Sequence, residues 1–104
     1  MVEQDDANLL QMVNGAFGSS IKLFPDYIIV TEDLAHKHKI IEIPYKDVLE
    51  FHYYPGYISS VKLSYRKDGK SQKTKVGSGR SQQPEFDSLV KRLMLMLEPY
   101  GFQL

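Results

Sequence analysis

The sequence predicts an α+β domain in which an antiparallel meander is closed by a C-terminal helix, and three features carry that reading. From residue 19 the apolar residues recur with period two and are mostly Ile, Val, Tyr and Phe, separated by turn signals. Asp68-Gly69 stands between two such runs, and this dipeptide readily adopts the positive φ angles of a two-residue hairpin loop. Beyond Pro84 the period changes to that of a helix.

Near the N-terminus, residues 5–14 place Leu9, Leu10 and Val13, then Phe17, on one side of a helical wheel. Asp5 and Asp6 stand where a helix start favours negative charge, and Asn14-Gly15 supplies a stop. A short amphipathic helix is expected there. Strands then follow at about 19–24, broken by Phe24-Pro25-Asp26, and at 27–32, 39–44 and 47–54. Two more, from about 58 to 67 and from 70 to 76, meet at Asp68-Gly69, which makes six strands in all. After a Gly77–Ser81 linker, Pro84 fits the first helical turn, with Glu85 and Asp87 suited to the helix dipole. The helix runs to about residue 98, where Pro99 and Gly101 end it. Phe86, Leu89, Val90, Leu93, Met96 and Leu97 form its buried stripe. Leu95 falls on the opposite side and Met94 on the flank, so the helix is more apolar than one buried face requires.

Composition bounds the function. A chain of 104 residues suits one domain spanning 1–104 with a single core. Hydrophobic residues make up 42% and charged residues 25%, as in ordinary globular domains. Thirteen Lys plus Arg balance thirteen Asp plus Glu, so attraction to nucleic acid or an anionic membrane must come from a local patch. With no cysteine there are no disulfides, thiolate metal sites or cysteine nucleophiles. No apolar run approaches the roughly twenty residues of a transmembrane helix. The acidic N-terminus lacks the pattern of a secretory signal, and a cytoplasmic location is expected.

A two-residue loop at Asp68-Gly69 pairs residue 67 with 70, 66 with 71, and so on along the ribbon. One face then carries Val61 opposite Val76, Leu63 opposite Thr74 and Tyr65 opposite Gln72, a core side that grows wetter towards the turn. The other carries Lys62 opposite Lys75, Ser64 opposite Lys73 and Arg66 opposite Ser71. Directly opposed like charges destabilise a sheet mildly, so an acidic group or ligand is expected there. Lys62, Arg66, Lys73 and Lys75, with Arg80, are the candidate anion-binding or partner-binding residues. The plainer reading is a solvated face whose lysines guard an edge strand.

Four aromatic side chains crowd Phe51-His52-Tyr53-Tyr54-Pro55-Gly56-Tyr57. Alternation sends Phe51 and Tyr53 inward, which leaves Tyr54 and Tyr57, with Met94 and Leu95, as candidate protein-interface residues. His36 and His38 share one side of an extended strand, but two histidines are not a metal site, and His52 lies on another strand. Gly77–Ser81 before a helix has the shape of a phosphate loop without its Lys-Ser/Thr ending, and reads as a flexible connector. No spacing joins a nucleophile to a base, so neither catalytic residues nor cofactors are expected.

Ile21–Thr31, Ile40-Ile-Glu-Ile-Pro-Tyr-Lys-Asp-Val48, the 58–76 hairpin and the helix from Pro84 together resemble bacterial pleckstrin-homology-like domains, over about residues 19–98. In that family a strand pair is followed by an Ile-Pro-Tyr/Leu-x-Asp-Ile/Val step, and a C-terminal helix plugs one end of a strongly bent sheet. The resemblance implies a split barrel and a non-catalytic binding or assembly module. Relatives bind lipid headgroups, peptides or proteins and often form oligomers. Phosphoinositide-binding members carry a basic motif between the first two strands, where this reading places Phe24-Pro25-Asp26 with no basic residue. The six strands are one fewer than the family's usual seven, leaving the first absent, replaced by the N-terminal helix, or near Ala16. Protein–protein or self-association is thus the expected function, with anion binding on the basic hairpin face, to a lipid headgroup or a nucleic-acid backbone, as the alternative.

Overall fold

Among the described residues, seven strands form two antiparallel sheets. A computed structural model describes residues 8–34 and 37–102. The first sheet has the order β1 (Gln11–Asn14), β2 (Ser20–Leu23), β3 (Tyr27–Leu34) and β4 (Lys37–Pro44). The second has the order β5 (Val48–Tyr54), β6 (Ser60–Lys67) and β7 (Lys70–Gly77). An α-helix, α1 (Gln83–Leu97), follows.

The expected N-terminal helix over 5–14 is not formed across its described residues: β1 occupies 11–14 and pairs with β2, Val13 opposite Ile21. Residues 5–7 lie outside the described residues. The physical reason is pairing. A helix this short is marginal by itself, whereas β1 satisfies the outer edge of β2. Its supposed apolar stripe is split rather than buried as one face: Val13 joins the core, whereas Leu10 is 38% and Phe17 85% exposed. The described residues therefore hold seven strands where six were expected.

Pro44 ends β4, and a 3₁₀ turn, Tyr45–Asp47, leads into β5. Tyr45 is fully buried. Its hydroxyl donates to Phe24 O at 2.6 Å and its N–H donates to Asp26 O at 3.2 Å. This residue therefore clips the passage between sheets onto the β2–β3 turn. Burial, reinforced by Tyr100 and Asp26, pushes its hydroxyl far above the ordinary tyrosine range.

From α1, Phe86, Leu89, Val90, Leu93 and Leu97 are buried against Ile21, Ile28, Val30, Ile43, Val61 and Leu63 from the two sheets. Met96, expected in the same stripe, is half-buried. Each full burial of such a side chain stabilises by roughly 1.5–3 kcal/mol.

One core position is polar without compensation. Thr74, 5% exposed opposite Leu63, has an Oγ1 with no hydrogen-bond partner among the described residues. Thr74→Val keeps the β-branched shape and removes the orphan hydroxyl. It is expected to stabilise the fold by about 1 kcal/mol and to raise Tm by about 5 °C in a thermal melt. An unchanged or lower Tm would show that the hydroxyl is satisfied in solution.

Candidate functional site

The Asp68-Gly69 loop forms as its sequence dictates, with φ of 53° at Asp68 and 77° at Gly69, the pattern of a type I′ hairpin turn. The register follows from it: Lys62 opposes Lys75, Ser64 opposes Lys73 and Arg66 opposes Ser71. Val61, Leu63, Tyr65, Thr74 and Val76 face the core, and Gln72 near the turn is exposed. The two sides of this ribbon thus differ in wetness as expected.

β5 completes the outer face of this sheet. Its register places His52 opposite Lys62 and Glu50 opposite Ser64. Two rows therefore cross the three strands, His52–Lys62–Lys75 and Glu50–Ser64–Lys73. With neighbouring strands about 4.8 Å apart, the first row aligns two ammonium groups and an imidazole over roughly 10 Å. A cleft of about 400 Å³ runs over them, lined also by Tyr54 and by Glu32 of β3.

Contacts within the cleft are loose. Lys62 Nζ lies 5.7 Å from the centroid of the Tyr54 ring, a cation–π arrangement. The His52 and Tyr54 rings stack at 6.4 Å, and His52 Nε2 is 3.5 Å from Glu50 Oε2. Among the described residues Lys62, Lys73 and Lys75 form no ion pair within 4.0 Å. The lysine–lysine opposition is left to solvent or a ligand.

The expected site residues divide by position. Lys62, Lys73, Lys75 and Tyr54 come together in the cleft. Arg66 shares their face nearer the hairpin turn but does not line it. Arg80 is exposed on the β7–α1 connection and does not line the cleft. Tyr57 is exposed in the β5–β6 loop. Leu95 is 62% exposed on α1, beside a shallow groove shared with Gln11, Ser88 and Arg92, whereas Met94 is half-buried and packs against the core.

Glu32, Glu50 and His52 are site residues that sequence reasoning missed. The available signal was the alternation of Glu50, His52 and Tyr54 on one side of β5. Their register against β6 depends on an irregular loop and on a bulge between Val48 and Glu50, neither of which has a sequence signature of its own.

Other candidates resolve structurally. The Gly77–Ser81 connector is pinned rather than flexible. Ser78 N–H donates to Ser59 O, Ser81 N–H to Tyr57 O and Gly79 N–H to Gln82 Oε1, so these amides are already engaged. His36 lies outside the described residues. His38 Nδ1 is 3.8 Å from Asp33 Oδ2, and no cluster of three His, Cys, Asp or Glu that could hold a metal occurs among the described residues. Tyr53 donates its hydroxyl to Asp87, tying β5 to α1; burial and that bond push its pKa up. Burial, and then Glu32, push the Tyr65 hydroxyl up likewise.

No helix among the described residues is long and apolar enough to cross a membrane. No family model, curated protein or solved structure matches this chain.

Proposed function

We propose that the chain is a non-catalytic, cytoplasmic binding module on a pleckstrin-homology-like split barrel, and that its cleft on the second sheet engages an acidic protein or peptide surface. Support for the scaffold is the succession of four strands, three strands and a C-terminal helix whose apolar face packs against both sheets. Support for the ligand class is one observation above all, the row His52–Lys62–Lys75 across adjacent strands, with no carboxylate paired to either lysine among the described residues.

The cleft favours a protein over a polyanion. Glu32 and Glu50 flank the lysines and repel a continuous phosphate backbone, whereas an acidic peptide can interleave its charges with them. Tyr54 adds an aromatic surface of the kind that protein interfaces use. The β1–β2 connection, Gly15–Ser19, carries no basic residue, so the headgroup motif of phosphoinositide-binding relatives has no counterpart there.

Titration with a poly-glutamate peptide tests this reading. Binding is expected to shift the amide resonances of Lys62, Lys73 and Lys75 and to weaken with salt. Lys62→Glu with Lys75→Glu is expected to lower the affinity at least about tenfold, or about 1.4 kcal/mol. Unchanged affinity in the double variant refutes the site, and binding to phosphatidylserine vesicles in place of the peptide reassigns it to a membrane surface.

A further inference from the structure

Each sheet ends in strands whose outer backbone groups must be satisfied, and the four ends are treated differently. At the two ends of β1, side chains on and just before α1 do this work: Arg92 Nη1 donates to Leu10 O, one residue ahead of the strand, at 3.3 Å, and Gln82 Nε2 donates to Asn14 O at 2.8 Å. β7 runs beside β3, whose Glu32 shares its cleft. β5 is interrupted by its bulge, a device that discourages strand addition.

Among the described residues β4 has no such side-chain cap, neighbouring strand or bulge on its outer edge. Its edge devices are Lys37, Lys39 and the terminal Pro44, which leave its middle open. It is the terminal strand of its sheet, eight residues long, in unbroken register with β3 from Tyr27↔Pro44 to Leu34↔Lys37. Among the described residues no backbone hydrogen bond leaves its outer edge. In its middle, Ile40 is 62% exposed, with His38 and Glu42 exposed on the same face and Ile41 and Ile43 in the core on the other.

We infer that β4 is the seam of a homodimer, in which two copies pair antiparallel about a two-fold axis through Ile40 and join their first sheets. The register follows by elimination. A two-fold axis normal to the sheet keeps both cores on one side and sets a residue opposite its own copy. Centred on Lys39 or Glu42, the pairing would oppose like charges. Centred on Ile41, it would set exposed Ile40 against Glu42. Centred on Ile40, it packs isoleucine on isoleucine and sets His38 of each copy opposite Glu42 of the other. Lys39 then lies opposite Ile41, its alkyl stem on the apolar surface and its charge free to reach water.

The absence of native cysteine makes the register directly measurable. Ile40→Cys places two thiols across the axis within disulfide reach, and mild oxidation is expected to yield a covalent dimer. Glu42→Cys places its thiols four residues apart along the seam, roughly 14 Å, and is expected to stay uncrosslinked. By sedimentation the native chain is expected to be dimeric, and Ile40→Lys monomeric with an unchanged far-ultraviolet spectrum. A native chain that stays monomeric at millimolar concentration, or Glu42→Cys crosslinking as readily as Ile40→Cys, overturns the inference. Lys62→Glu with Lys75→Glu is expected to leave the dimer intact, so the seam and the acidic-ligand cleft stand or fall separately.

Discussion

Leu93→Ala is expected to destabilise the fold by about 3 kcal/mol, within the range seen when a fully buried leucine is truncated. Leu93 is 0% exposed in the middle of α1, within the cluster that joins the helix to both sheets. Truncation removes the transfer free energy of the lost methyl groups and leaves a cavity that a 15-residue helix, held at both ends, does not close. Against a total stability of about 5–15 kcal/mol for a domain, the loss is large. Urea denaturation measures it as a lower midpoint at constant slope. Leu95→Ala is the matched control, because Leu95 is 62% exposed, and it is expected to stay within about 0.5 kcal/mol of the native chain. Similar midpoints for the two variants would mean that the helix packs by a different face.

Gly15→Ala is expected to cost about 3 kcal/mol for a different reason, at the upper end for overpacking. An added Cβ would stand 2.3 Å from Gly77 O, 2.7 Å from Ser19 Oγ and 3.1 Å from Val76 Cγ1. Its backbone, at φ −96° and ψ −157°, is extended and suits alanine, so the penalty is steric. The obstructing atom at 2.3 Å is a backbone carbonyl, which no rotamer change can move aside. The end of β1 and the end of β7 would have to separate, just where the first sheet meets the second. Gly77→Ala is the control: its Cβ meets nothing within 4 Å, and its denaturation midpoint is expected to be nearly native. A native midpoint for Gly15→Ala as well would show that the two sheets are not in contact at this corner.

The legible parts of the fold were those with a local cause. Asp68-Gly69 specified its turn, the turn specified the register, and the register placed Lys62 opposite Lys75 and divided core from solvent on β6 and β7. The helical period beyond Pro84 identified Phe86, Leu89, Val90, Leu93 and Leu97 as buried and Leu95 as exposed. Tyr54 and Tyr57 were expected to be exposed from alternation and turn position, and they are.

Where the sequence misled, the deciding partner was remote. Leu9, Leu10 and Val13 suit a helical wheel, but the vacant edge of β2 recruits residues 11–14 as a strand. Half of the candidate site was hidden likewise, because Glu50 and His52 reach the lysines only through the β5–β6 register, and Glu32 only through the packing of β3 beside β7.

Turn chemistry and periodicity by themselves determined that this chain makes a β-meander with an amphipathic C-terminal helix and a hairpin of two unlike faces. Tertiary structure alone decided that β1 is a strand, that acidic groups border the lysine row and that, among the described residues, no strand pairs with the outer edge of β4. The division follows from range: φ/ψ preference and side-chain period act over a few residues, whereas strand pairing joins segments that no local rule connects.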